Sequence, residues 1–131
     1  MTGLLAAIQF LTSIPIRLKT LTEKQISWSM VYFPLVGFLI GLILAVCNGA
    51  LSFLGVKTYL LYLVLVVILA GITSGLHLDG LADTADAFLS RKSPEEMLSV
   101  MRDSHIGTMG VLSLICIIMG KVFLLRSVPL S

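Results

Sequence analysis

LHLDGLADTADAFL, residues 76–89, follows directly on the apolar run YLLYLVLVVILAGITSG of residues 59–75. It carries Asp79, Asp83 and Asp86, three of the chain's seven carboxylates. Acid at the edge of a membrane is costly and asks for a partner. The three aspartates stand at i, i+4 and i+7, so on a helix turning about 100° per residue they fall within roughly 60° of one another. Like charges on one stripe repel unless a cation lies between them or some are protonated. The spacing therefore predicts a helix with a divalent metal site facing the cytoplasm. The rival reading is a solvated helix face, but no lysine at i±4 accompanies these acids.

Composition supports the membrane setting. The 131 residues are 57% hydrophobic and 12% charged, against about 45–50% and about 25% in soluble domains. Mean hydropathy is +1.05. The chain reads as a single all-α membrane domain, residues 1–131. Its net charge of +2, without a basic run or basic-aromatic interleaving, argues against nucleic-acid binding. Cys47 and Cys116 lie deep in apolar runs and read as small buried hydrophobes, since no CxxC or Cys/His cluster is present. The N-terminus has neither a positive region nor a small-residue cleavage site and reads as mature chain.

Three apolar stretches are candidate spans: 31–54, 59–78 and 108–125. The first has Gly37, Gly41 and Ala45 at four-residue spacing, a face that admits close helix packing. Pro34 sits near its start, where a helix tolerates it. Trp28 and Tyr32 suit the headgroup level. The second reaches full length only if its helix continues through Leu76 and Leu78. The third contains Lys121, which either snorkels to the interface or faces the bundle. Residues 4–16 are apolar but too short to cross, and Pro15 ends them. An interfacial or re-entrant helix fits there.

Ser93-Pro94-Glu95-Glu96 reads as a helix start, with Ser93 as cap, Pro94 as first helical residue and Glu96 as capping-box partner. Arg17, Lys19, Lys24, Arg91, Lys92 and Arg102 fall on one side of the first two spans. Lys57 and Arg126 fall on the other. The positive-inside rule then places the acidic segment in the cytoplasm of a multi-pass protein. An odd number of full spans and a stop just past a helix predict a truncated bundle.

Mg²⁺ prefers oxygen ligands, keeps several waters and is shared with substrate phosphates. Asp79, Asp83 and Asp86 can supply ligands to one or two such ions. Gly80, with Ala82, Ala85 and Ala87, leaves room for a bulky phosphorylated substrate. Asp103 either approaches from another element as ligand or base, or caps the last span. Arg102 either meets phosphate or anchors the interface. His105 is a candidate base or a structural residue, and His77 points away from the aspartate stripe.

Several motifs are together recognisable. GLHLDGLADTADAF (75–88), the following SPEEML, RDSHIGTMGVL (102–112), AIQFLTSIPI (7–16) and FPLVGFLIG (33–41) closely resemble the cobalamin synthase, or adenosylcobinamide-GDP ribazoletransferase, family. The resemblance implies a multi-span enzyme of the bacterial or archaeal cell membrane. It implies joining of adenosylcobinamide-GDP to α-ribazole or its 5′-phosphate, with release of GMP and a need for Mg²⁺. The DG-containing run is also loosely similar to the aspartate motif of CDP-alcohol phosphotransferases. By position, the resemblance makes Asp79, Asp83 and Asp86 the metal ligands and Asp83 and Asp103 the catalytic carboxylates. Gly80, Arg102 and His105 become substrate-binding candidates. His105 stands where the family more often has a basic, arginine-like residue, and family members continue well past residue 131 with further membrane helices. The partners implied are the two substrates, the lipid bilayer and a homo-oligomer. A cation-coupled transporter and a catalytically inactive fragment are the alternatives.

Overall fold

A computed structural model describes residues 2–16 and 22–128, without the side chains of Glu23 and Lys24. Arg17 and Lys19, the Lys24 side chain and residues 129–131 therefore lie outside the described residues. Every regular element among the described residues is helical. The helices are α1 (Thr2–Leu11), α2 (Glu23–Ser29), α3 (Phe33–Phe53), α4 (Thr58–Ile72), α5 (Leu76–Leu89), α6 (Pro94–Val100) and α7 (Thr108–Ser127). A 3₁₀ turn, Met30–Tyr32, joins α2 to α3. The chain divides into two compact units, Met1–Ser74 and Gly75–Ser131.

In the first unit the short α1 packs on α2 and α3. It stops at Leu11 and does not run on to Ile16. The Thr12 hydroxyl turns back to the Ile8 carbonyl at 2.7 Å. The Ser13 N–H then donates to the Ile72 carbonyl at 2.7 Å, supplying one of the acceptors that the end of α4 leaves open. Phe10 stacks on Phe33 with ring centroids 5.6 Å apart. Ala6, Ala7, Val36, Leu61, Tyr62, Leu65 and Val66 form the buried core.

Outside that core the apolar helices face outward. Phe38, Val46, Phe123 and Leu124 are all well exposed. The continuous helical run Gln25–Phe53 and the helix Thr108–Ser127 are each long and apolar enough to cross a membrane, yet only 6% of the most apolar window of each is buried. Such surface in water would be strongly unfavourable. Hydrocarbon is the solvent that suits it. Trp28 and Tyr32 are exposed, as an aromatic belt requires. Cys116 is exposed and Cys47 only partly buried, so the expectation of two buried cysteines is corrected: both sit on helices whose apolar surface faces outward. The close packing expected at Gly37 and Gly41 is not formed among the described residues, where a Cβ at either would meet nothing within 4 Å.

The second apolar helix departs from expectation. It ends at Ile72 and does not continue to Leu78. Ser74 and Gly75 both take left-handed backbone conformations, with φ of 53° and 66°, and a right-handed helix cannot pass through two such residues. The chain restarts at Leu76, where the Leu78 and Asp79 amides bond the Gly75 carbonyl at 2.8 and 2.9 Å. With α4 and α5 taken together as one broken span, the candidate spans number three.

In the second unit α5 lies along α7, with α6 packed on α5. Ala82, Ala87 and Gly110 are buried, so small residues set a close approach. Arg91, also left-handed at φ 56°, turns the chain out of α5. The expected capping box then forms: the Ser93 N–H donates to Glu96 Oε2 at 3.0 Å and the Glu96 N–H to Ser93 Oγ at 3.4 Å. Glu96 is thereby held below the ordinary carboxylate range, chiefly by its bond from the Ser93 backbone.

The break between α4 and α5 predicts opposite effects at adjacent positions. Gly75→Ala adds a Cβ in the left-handed region and destabilises by about 1 kcal/mol. Ser74→Gly removes one there and raises the midpoint. Thermal melts in detergent check both signs.

Candidate functional site

The helix predicted for residues 76–89 forms over those residues. Its aspartates do not share one environment. Asp79 is exposed and Asp83 partly buried, and both line a cavity of about 330 Å³. Across it the segment leading into α7 contributes Arg102, Asp103, Ser104 and His105. Five of the expected site residues thus line one cavity: Asp79, Asp83, Arg102, Asp103 and His105. Gly80 is exposed, and a Cβ there would meet nothing within 4 Å. The room expected beside the first aspartate is present. His77 is exposed and does not line the cavity.

Asp86 is turned to another task. Its Oδ2 accepts the Gly107 N–H at 2.6 Å and its Oδ1 accepts the Gly110 N–H at 2.8 Å. Asp103 does not cap the last span, as one reading allowed, because Asp86 does. Gly107 and Gly110 are the residues the sequence reading passed over. The signal available was a pair of glycines three apart at the start of an apolar helix.

Asp103 pairs locally with His105. Its Oδ1 lies 2.6 Å from His105 Nδ1 and 3.1 Å from the His105 backbone N. A carboxylate offers only acceptors, so the shared proton sits on Nδ1 and Nε2 is left as the other functional nitrogen. Asp103 is held below its ordinary range, first by the side-chain bond from His105 and next by the backbone bond. His105 is raised above its ordinary 6.5, first by that same bond and next by the charge of Asp103. Both side chains are solvent-accessible, at 89% for His105 and 56% for Asp103, so water screens their attraction.

A second hollow, adjoining the first through Arg102 and Asp103, is lined by Lys92, Glu96, Ser99 and Val100. Among the described residues no three His, Cys, Asp or Glu side chains converge to hold a metal ion by themselves. The donor set around the first cavity still suits Mg²⁺, which is commonly held by one or two carboxylates with water and substrate phosphate. Asp79 and Asp83 meet that description.

Comparison with known proteins follows the same residues. The family described as cobalamin-5-phosphate synthase matches residues 3–131. An adenosylcobinamide-GDP ribazoletransferase of Clostridioides difficile is 42% identical over 115 residues, covering 88% of this chain and 44% of the relative. The protein of that name from Acetivibrio thermocellus is 43% identical over 132 residues, 98% of this chain and 52% of its own. That of Herpetosiphon aurantiacus is 49% identical over 117 residues, 88% and 46%. The chain spans about half the length of the curated relatives it matches. No solved structure matches it.

The Asp103–His105 pair has a defined pH window. A raised histidine pKa adds stability that is complete below the ordinary histidine value and is lost as pH rises through the raised one. A depressed Asp103 adds stability that is present above the ordinary carboxylate value and is lost as pH falls through the depressed one. The pair therefore holds between those two limits. Titration of His105 by NMR will show a midpoint above 6.5, and Asp103→Asn will bring it down.

Proposed function

Because the chain belongs to the cobalamin-5-phosphate synthase family, we propose that it carries the acidic motif of a membrane ribazoletransferase. Its substrates are adenosylcobinamide-GDP and α-ribazole or its 5′-phosphate. A hydroxyl oxygen of the ribazole forms a new bond to the phosphorus that carries the corrinoid. The bond from that phosphorus to the oxygen of the GMP portion breaks, GMP leaves with the electron pair, and the hydroxyl proton passes to a base. The observation that carries this reading is the cavity with Asp79 and Asp83 on one wall and Arg102, Asp103 and His105 on the other. Such a transfer needs little covalent chemistry from the protein and depends on positioning and charge stabilisation.

The lining of the cavity supports the following roles. Asp79 and Asp83 are the residues that would hold Mg²⁺, and the ion would supply neutralisation of charge on the phosphoryl group. Arg102, with five fixed donors, faces the phosphate oxygens. Asp103 keeps the His105 proton on Nδ1, and Nε2 accepts the proton of the attacking hydroxyl. Gly80 leaves the near side of α5 open to the bulky substrate.

Orientation and membrane insertion belong to the same proposal. Arg91, Lys92 and Arg102 surround the acidic segment, which supports a cytoplasmic location in a multi-pass arrangement in the cell membrane. The exposed apolar faces of α3 and α7 meet lipid. A membrane-impermeant maleimide will label Ser99→Cys in inverted vesicles and not in intact cells.

The enzyme reading predicts Mg²⁺-dependent GMP release by vesicles containing the chain when both substrates are present. Asp83→Asn will lower that rate by about a hundredfold or more, the scale seen when a group that stabilises transition-state charge is lost. Undiminished release in Asp83→Asn would sink the metal assignment. Release will rise with pH through the raised His105 pKa, since only the deprotonated Nε2 accepts a proton. Asp103→Asn will move that rise to lower pH.

A further inference from the structure

Asp86 sits on the same helix as Asp79 and Asp83 but meets backbone instead of the cavity. The two amides it binds are among those that open α7. The Val111 N–H bonds the Gly107 carbonyl at 3.1 Å, so Gly107 is the cap residue and Gly110 the third residue of the helix. Neither amide has an acceptor within α7. A side chain at the cap ordinarily serves the third-position amide and one at the third position serves the cap amide, but in α7 both positions are glycine. Asp86 performs the task from a neighbouring helix, and its negative charge suits the positive end of the helix dipole.

The fit leaves no space to spare. A Cβ on either Gly107 or Gly110 would collide with the Asp86 carboxylate, and one on Gly110 would also press to 3.1 Å from the Ala82 carbonyl oxygen. The carboxylate and the two glycines therefore form one unit. That unit pins the point where the segment carrying Arg102, Asp103 and His105 enters α7. It does so on α5, three residues beyond Asp83.

We infer that Asp86 is a positioning residue. Its carboxylate is committed to the Gly107 and Gly110 amides, and it holds the 102–107 segment so that Asp103 and His105 face Asp79 and Asp83. What the cavity does rests on the phosphoryl-transfer reading above; what Asp86 holds does not.

The test uses the full chain in lipid nanodiscs, with Asp86→Asn, Gly110→Ala, the double variant, and Asp83→Asn as control. Two quantities are read: amide hydrogen exchange at Gly107 and Gly110, and Mn²⁺ affinity by electron paramagnetic resonance. Asp86→Asn will speed exchange at both glycines about fivefold or more, the usual scale of a lost cap. Gly110→Ala alters no candidate ligand, yet it will weaken Mn²⁺ binding by the same factor as Asp86→Asn. The double variant will be no worse than either, as expected for residues acting as one unit. Unchanged exchange in Asp86→Asn overturns the inference. So does loss of Mn²⁺ binding in Asp86→Asn with wild-type binding in Gly110→Ala, which makes Asp86 a ligand. Should circular dichroism show Gly110→Ala unfolded, exchange in Asp86→Asn decides alone. Absence of Mn²⁺ binding by the unaltered chain, with the exchange effect intact, sinks the metal reading of the cavity and upholds Asp86 as the holder of the segment.

Discussion

A helix that begins at glycine has no side chain with which to close its first turn. In this chain the deficit at Gly107 is met by the Asp86 carboxylate, which takes the Gly107 and Gly110 amides at 2.6 and 2.8 Å. Much of the second unit depends on that contact. It brings α5 and α7 close enough for Ala82, Ala87 and Gly110 to be buried. It also sets where the preceding segment must lie, and that segment supplies one wall of the cavity. In a low-dielectric setting, hydrogen bonds to a charged acceptor are stronger than neutral ones. A partly buried carboxylate with two amide donors is better satisfied than one left among like charges.

The bilayer imposes the second constraint. Backbone groups in hydrocarbon must be satisfied internally, which favours helices, and every regular element among the described residues is a helix. The apolar surfaces of α3 and α7 are outward and the buried core is small. Stability in such a protein cannot come from hiding apolar side chains from water. Close backbone approach and polar bonds between elements must supply it, and the second unit shows both at Ala82, Gly110 and Asp86.

The sequence carried some of these features plainly and others not at all. The aspartate helix was legible because i, i+4, i+7 spacing is a property of the chain itself. The capping box at Ser93 and Glu96 was legible for the same reason, since both partners lie within one turn. Asp86 was grouped with Asp79 and Asp83 by spacing alone. Its partners are backbone amides more than twenty residues away, and amides leave no mark in a residue string. The end of α4 was half legible. Ser-Gly is a turn signal, but nothing in composition announces that Ser74, a residue with a Cβ, takes a left-handed conformation. The pairing of Asp103 with His105 was equally hidden: the two are close in sequence, yet their bond depends on a loop conformation that no periodicity describes.

The hydrogen bond from the Ser13 amide to the Ile72 carbonyl has a consequence for biogenesis. The chain is made from its N-terminus, so α1 leaves the ribosome well before its acceptor exists. A helix of ten residues cannot cross the bilayer by itself. Its packing on α2 and α3 and the stacking of Phe10 on Phe33 can form as those helices are made. The Ser13 amide has no such early partner and stays without its acceptor until α4 is complete. That one bond becomes a report that the hydrophobic segment ending at Ile72 has arrived.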